Sequence, residues 1–524
     1  MSVKSLRFFF YPLTFPYICP HIYIIRCNKM KKLYVIWFLS LVMGLNGVLA
    51  QTAAQVNTRK IGSMPMRSGS PCIPVILVEF ADKAMSESDA FAAFDRRLYY
   101  PADREQVENG TGTAYQYFND QSNGVFTPQF IVIGPVKLSQ NAAYYGADGV
   151  TRDTKMHVMM SEAIAKAYEE DIAVEWSDFD YNEDGTCDGL YVIYAGEGQH
   201  AHPEETDLIW PSTYSFSEAG EECPVVGGLR FDGYSCCNEL LNGKVDGIGT
   251  FCHEFCHQLG LPDFYRTDGV NTEEFAMGNW SLMDRGGYEM DGCRPVSLRA
   301  LEKAYLGWLD PVTLTEATTV QHIRSTDEEG MAFKVVNKRD ANEYYMLEVI
   351  DDKGWNKSCR GKGLLISHIY LSDNLSWDAN TVNNCMPFRV TIIPADNDKP
   401  KLMTGVNEDA YESSLYGDTY PTATGNNELT NTSVPAATVQ VGGLSGSTMS
   451  KPITAISYDE TTQTVSFDFM GGSETNIITS IDSPKSSFGP VEWYRLDGTR
   501  VSEPRYKGVL IRKTTDGKVE KVYR

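Results

Sequence analysis

The sequence predicts an α/β domain over residues 73–310, an all-β sandwich over 311–472 and a small β module at the C-terminus. Three observations carry this. At 524 residues the chain exceeds the size at which a single hydrophobic core stops growing, so two or three domains are expected. From Ile73 to Asp310 apolar runs alternate with helical periods, the mixture from which α/β layers are built. Beyond Pro311 the helical periods stop, and strand-like runs alternate with Gly, Asn, Asp and Pro clusters.

The elements follow in order. PVILVEF (74–80) reads as a buried strand and DAFAAFDRRLYY (89–100) as a helix. GTAYQYFNDQS (112–122) predicts a second helix and FIVIGPV (130–136) another strand. In 154–170, Met156, Met160, Ala163 and Ala167 recur at helical spacing, so one face is apolar. GLYVIYAG (189–196) is a third core strand, and VDGIGTFCHEFCHQLG (245–260) is a helix ending at Gly260. Downstream, EYYMLEVI (343–350), GLLISHIYL (363–371), FRVTIIPA (388–395), ITAISYD (453–459) and TVSFDFM (464–470) are strands. In the last, Val465, Phe467 and Phe469 share one face while Ser466 and Asp468 take the other. A linker over 473–483, within GGSETN and beyond, precedes a small basic module at 484–524.

The N-terminus reads as an export signal. Met30 to Ala50 place Lys31 and Lys32 before an uncharged run from Leu33 to Leu45, then small residues at Val48 and Ala50. That run is too short to span a bilayer. Residues 1–29 do not fit a signal peptide, so Met30 is taken as the true start, 30–50 as the signal and 51–72 as a short leader. The first 50 residues hold six Lys/Arg and no acid, leaving 40 basic against 69 acidic side chains in the other 474. Such an excess of negative charge excludes nucleic acid as a partner. Ten cysteines follow Met30 with no CxxC spacing, too sparse for a disulfide scaffold.

The strongest chemical signal is HEFCHQLGLPD (253–263). His253 and His257 are four apart, so on a helix both imidazoles leave one face and can grip one metal. Zinc suits paired imidazoles, needs a third protein ligand and keeps a fourth position for water. Gly260 lets the chain leave the helix sharply, which can return Asp263 to the metal as that ligand. Glu254 is placed to take the proton of a zinc-activated water and pass it to a leaving amine, so the reaction class is peptide hydrolysis. With eight His in 524 residues, composition alone yields about 0.01 such matches, which sets accident aside.

Two further motifs bear on metals. MGNWSLMDRGGY (277–288) puts Met283 twenty residues beyond Asp263, which resembles the Met-turn beneath the zinc of metzincin peptidases. Its role would be structural support. Asp180, Asn182, Asp184 and Asp188 stand at positions 1, 3, 5 and 9 of a loop with Gly185 at 6 and the Thr186 carbonyl at 7, a calcium-loop spacing. Position 12 is Tyr191, so the usual bidentate Glu is missing. His200 and His202, in GEGQHAHPEE, read as a solvated loop, and His368 as a satisfied core histidine.

Residues 73–470 resemble the immune inhibitor A family of secreted zinc metallopeptidases. IPVILVEFAD, TAYQYFNDQSNGVF, DFDYNEDGTCDG, HEFCHQLGLPDFY and NWSLMDRGG carry the likeness, and GLLISHIYL with the ADN at 395–397 extends it into the β region. The resemblance implies a metzincin-like catalytic domain fused to a β-sandwich, with His253, His257 and Asp263 on one zinc and Glu254 as acid/base. It also implies structural calcium on the 180–188 loop. This chain departs from the pattern at Ser212, in IWPS, where such peptidases often show His, and at Cys252 and Cys256 flanking the motif, which are expected to be packed thiols. Arg285 stands where some metzincins use Tyr to stabilise the oxyanion, leaving Tyr265, Tyr288 or Arg285 itself for that task. The tail, VEWYRLDGTRV (491–501) with YKGVLIRK and KVEKVYR, looks like a C-terminal sorting domain of type IX secretion cargo, to be read by export machinery.

The expectation is a secreted or cell-surface zinc endopeptidase, monomeric, acting on extracellular proteins or peptides. The rival is a calcium-stabilised adhesion protein whose peptidase-like domain is inactive. Intact Glu254 beside three ligands disfavours that rival.

Overall fold

A computed structural model describes residues 64, 66–99, 112–147, 153–170, 174–270, 274–399, 408–421, 425–440, 447–479 and the four strands of the C-terminal tail. The chain divides into two compact units, Met1–Thr58 and Arg59–Arg524. The first unit, and with it the export signal and most of the leader, lies outside the described residues. Of residues 51–72, the described ones pack within the second unit: Met64 is buried, and the Arg67 guanidinium reaches the Tyr305 carbonyl.

The first sheet runs β2-β1-β3-β5-β4, with β6 added to β5. Its strands are β1 (Cys72–Glu79), β2 (Gln129–Lys137), β3 (Tyr191–Glu197), β4 (Ser212–Ser215), β5 (Gly233–Leu241) and β6 (Lys244–Val245). β1, β2, β3 and β5 pair in parallel, while β4 and β6 join β5 antiparallel. Every residue from Ile73 to Val78 is buried, as expected of parallel strands covered on both faces. Helices α1 (Ala90–Leu98) and α3 (Met156–Glu170) pack on this sheet, α2 (Ala114–Gln121) packs on α1 and meets β2 through Phe118 against Phe130, and α4 (Gly249–Gln258) lies against β5 and β4. Thr113 and Gln116 close α2 with a reciprocal capping box. The apolar face of α3 is buried at Met156, Met160, Ala163 and Ala167, the positions the spacing picked out.

After α5 (Ala300–Leu306) the chain builds two more sheets. One contains β7 (Val312–Thr313), β9 (Phe333–Val336), β10 (Glu343–Ile350), β11 (Gly363–Tyr370) and β12 (Val390–Ile392), in the order β12-β11-β10-β9-β7. The other contains β8 (Thr318–Ile323), β13 (Ile453–Asp459), β14 (Thr464–Phe469) and β15 (Ile477–Thr479), in the order β13-β14-β8-β15. The region is not purely β, since helical turns at Leu375–Asp378 and Glu408–Ser414 interrupt it. β12 is also shorter than the run at 388–395 predicts.

β10 explains how the regions join. Tyr344, Met346 and Ile350 belong to the same apolar cluster as β1 and α4, while Tyr345, Leu347 and Val349 belong to the cluster shared with Phe467 and Phe469. Alternation along one strand therefore gives each face a different core, and both faces are dry. α5 adds buried charge to the junction. Lys303 pairs with Asp327 at 2.5 Å, and Arg299 lies 3.7 Å from Glu348. The tail strands β16 (Glu492–Arg495), β17 (Arg500–Val501), β18 (Val509–Lys513) and β19 (Val519–Tyr523) form an antiparallel sheet in the order β17-β16-β18-β19.

Candidate metal centre

α4 is fixed by its apolar side. Phe251 stacks on Tyr191 with ring centroids 4.1 Å apart, and Phe255 meets Phe118 and Phe130 at 5.1 and 5.2 Å. Cys252, Cys256 and Leu259 are wholly buried beside them, and both thiols are free. With positions 251, 252, 255, 256 and 259 committed to the core, a period of 3.6 turns 253, 254 and 257 to the opposite side. The helix starts without a side chain because there is no room for one. A Cβ on Gly249 would stand 1.8 Å from the Gly287 carbonyl oxygen.

The C-terminus of α4 closes as a Schellman turn. The Leu261 amide donates to the Cys256 carbonyl, and the Gly260 amide to that of His257, with Gly260 at φ +95°. This reversal brings the next residues back over the helix face. Asp263 Oδ1 lies 3.1 Å from His253 Nε2 and 3.2 Å from His257 Nε2. The two imidazoles stand at 87° to each other with centroids 4.8 Å apart. Each Nδ1 faces a backbone carbonyl, Leu282 O at 2.8 Å for His253 and Leu261 O at 2.7 Å for His257. A carbonyl can only accept, so Nδ1 carries the hydrogen in both rings and Nε2 presents a lone pair.

These atoms fit a metal. In a tetrahedral site with bonds of about 2.0–2.2 Å, donor atoms sit about 3.4 Å apart. Asp263 Oδ1 is buried and accepts no hydrogen bond. Three lone-pair atoms that converge in a dry place need a cation between them. Burial opposes charge on His253, but the Asp263 carboxylate outweighs it and pushes that imidazole up to about 9. Asp263 is held far below the usual carboxylate range against its own burial.

Glu254 is buried, and its ligand atoms and those of His253 and His257 lie within 4.8 Å of one another. Burial pushes its carboxyl up, against the pull of the two imidazoles. The Thr213 hydroxyl on β4 reaches Glu254 Oε2 at 2.9 Å and the Glu254 carbonyl at 2.8 Å. Of the three residues considered for an oxyanion, Tyr265 and Tyr288 lie near enough to feel the Glu254 charge, and each keeps part of its surface in solvent. Burial and the nearby Asp263 and Glu254 carboxylates raise the Tyr265 phenol well above its ordinary value. Burial and Glu254 push Tyr288 up to about 12. Arg285 turns elsewhere, its guanidinium 5.1 and 5.6 Å from the Phe275 and Tyr411 rings.

The other singled-out residues fall as follows. Met283 is fully buried, and its carbonyl receives the Phe264 amide at 2.7 Å. The segment thus touches the site through the carbonyls of Leu282 and Met283. On the 180–188 loop, Asp180 receives the amides of Asp184 and Gly185, and Asp188 receives that of Tyr181 at 2.6 Å. Asn182 bonds Asp184, which receives the Thr186 amide. Burial, with Asp180 and Asp184 nearby, pushes Asp188 up to about 6. The Ser212 hydroxyl lies 3.9 Å from Cys236 Sγ, and it is the next residue, Thr213, that reaches the site. His200 is not in a solvated loop: its ring nitrogens are buried, it stacks on Tyr288 at 6.0 Å, and burial pushes it down to about 4. His368, buried against Glu343 at 2.8 Å, is a satisfied core histidine.

Comparison with known proteins points to the same segment. Pre-pro-metalloprotease PrtV of Vibrio cholerae serotype O1 is 28% identical over 214 residues, covering 36% of this chain and 23% of that protein. Immune inhibitor A of Bacillus thuringiensis subsp. alesti is 26% identical over 301 residues, covering 50% of this chain and 42% of that protein. The chain thus spans less than half the length of these curated relatives. Residues 70–308, which carry His253, Glu254, His257 and Asp263, match the family model described as Immune inhibitor A peptidase M6, catalytic domain.

Proposed function

We propose that this protein is a zinc-dependent endopeptidase that cleaves extracellular proteins. The observation that carries the reading is the approach of Asp263 Oδ1 to both His Nε2 atoms, 3.1 and 3.2 Å, with Glu254 on the same helix face. Two imidazoles and a carboxylate are a donor set for zinc. When bound, zinc supplies Lewis acidity to the scissile carbonyl and to the attacking water. Glu254, beside His253, accepts that water's proton and returns it to the leaving amine. The Thr213 hydroxyl holds the carboxylate in place at 2.9 Å. Tyr265 and Tyr288, whose phenols stay protonated at neutral pH, can donate to the developing oxyanion.

The wider reading keeps to the same terms. Calcium braces the 180–188 loop, residues 30–50 direct export, and the β module at the C-terminus serves a type IX export route. A signal-bearing, acidic chain with a protease site suits a secreted monomer that meets its substrates outside the cell.

The test is zinc content and casein cleavage by wild type and Glu254→Ala. Wild type is expected to hold one zinc and cleave, and the variant to hold zinc and not cleave. Stoichiometric zinc without any cleavage that the variant lacks would leave an adhesion protein with an inactive peptidase-like domain.

A further inference from the structure

The loop that follows α4 is held by a segment more than a hundred residues away, between β11 and β12. Asn380 makes two hydrogen bonds to one residue. Its Nδ2 donates to Asp263 Oδ2 at 2.7 Å, and its Oδ1 accepts from the Asp263 amide at 2.7 Å. The orientation of the amide group is settled by its partners: the Asp263 N–H can only meet an oxygen, so the nitrogen must face the carboxylate. One bond fixes the backbone of Asp263 and the other its carboxylate. Both torsions between them are thereby fixed, and Oδ1 is left aimed at His253 and His257.

The surrounding contacts hold the clasp itself. Trp377 Nε1 donates to the Gly260 carbonyl at 2.9 Å, and Asn383 Nδ2 to that of Phe264 at 2.7 Å. The Thr267 hydroxyl donates to the Asn380 carbonyl at 2.7 Å, and the Thr267 amide to Asn384 Oδ1 at 2.8 Å. Asn380 sits at φ +55°, a left-handed conformation that Asn tolerates better than other side chains. It carries no charge, so it orients Asp263 without neutralising it.

We propose that Asn380 is the positioning residue of the metal centre, so that a residue outside the 70–308 segment sets how tightly the metal is held. The inference rests on the metal-site reading above. Outer-shell partners of this kind typically change metal affinity by about 10- to 100-fold when removed.

The experiment uses the full chain and three proteins: wild type, Asn380→Gly, which accepts the same backbone conformation, and Asn380→Asp, which keeps the shape and the bond from the Asp263 amide but loses the donor. Zinc affinity is measured by competition with a chromogenic chelator, cobalt(II) absorption reports ligand geometry, and melting of the metal-free proteins reports folding. Both variants are expected to bind zinc about 10- to 100-fold more weakly, with a changed cobalt spectrum and little change in metal-free melting. Wild-type affinity in either variant overturns the role. Should Asn380→Gly not fold, Asn380→Asp carries the test alone. Failure of wild type itself to take up zinc would instead sink the metal-site reading.

Discussion

The Thr213 hydroxyl on β4 lies 2.9 Å from Glu254 Oε2, across the gap between the first sheet and α4. The same oxygen reaches the Glu254 carbonyl at 2.8 Å and Ser235 Oγ at 2.6 Å, so this hydroxyl is part of a small network. A carboxylate that must accept and return a proton needs a fixed direction, and a β-branched residue on a strand is a stiff anchor. Thr213→Val keeps the shape and removes the hydroxyl. It is expected to lower kcat about tenfold with zinc content unchanged, while Thr213→Ser keeps most activity. Kinetics on a peptide substrate with parallel zinc analysis check this, and an unchanged kcat in the valine variant would count against it.

Gly249 and Gly287 meet backbone to backbone where α4 begins. A methyl group at Gly249 would stand 1.8 Å from the Gly287 oxygen, and backbone cannot give way as a flexible side chain can. Gly249→Ala should destabilise the fold by about 1–3 kcal/mol and loosen the proposed metal site, since α4 carries His253 and His257. Urea unfolding measures the first effect and zinc competition the second. Full stability in the variant would mean the turn at Gly286–Tyr288 can move aside.

Asp246 lies just ahead of α4 and accepts from the Gly247 amide, the Thr250 hydroxyl and Asn238 Nδ2 at 2.7, 3.0 and 3.1 Å. Burial nevertheless raises its pKa from 3.8 to about 6. An acid whose folded pKa is raised keeps its proton longer folded than unfolded. Its contribution to stability is present below the unfolded value, declines as pH rises toward 6, and is lost above. Asp246→Asn does not titrate. The stability of wild type relative to this variant should therefore fall by up to about 3 kcal/mol between about pH 4 and pH 7. Urea unfolding across that range decides it; a flat difference would mean the carboxyl ionises at its ordinary pKa.

The 180–188 loop gives a separate test. Its carboxylates are now turned to the loop's own amides, and burial with its acidic neighbours raises Asp188 to about 6, a cost that a bound cation would relieve. Added calcium should raise the melting temperature of wild type, and Asp184→Ala should abolish that rise. Calorimetry with and without calcium reads it, and an equal rise in both proteins removes the loop as the site.

How much of this was legible beforehand depends on distance along the chain. The core strands at 74–80, 189–196 and 343–350 were readable because apolar runs of that length have few other uses, and Met156 to Ala167 because the period is local. His200 departs from the expectation of a solvated loop, since polar neighbours such as Gln199 and Glu204 describe a loop but not the Tyr288 ring stacked on it. Thr213 adjoins Ser212, which the motif comparison had singled out, yet nothing in the sequence distinguishes the two hydroxyls. Only the pleat of β4 does so.

The common face of His253, Glu254 and His257 follows from their spacing, because helical geometry relates residues three and four apart without outside help. The turn at Gly260 that frees Asp263 to return is likewise legible in the local sequence. Where that carboxylate points, and what holds it, depends on contacts from far along the chain. Asn380 and Asp263 are 117 residues apart in the chain, and no local rule connects them. They meet because β10 gives one face to each core and so ties the β region to the metal helix.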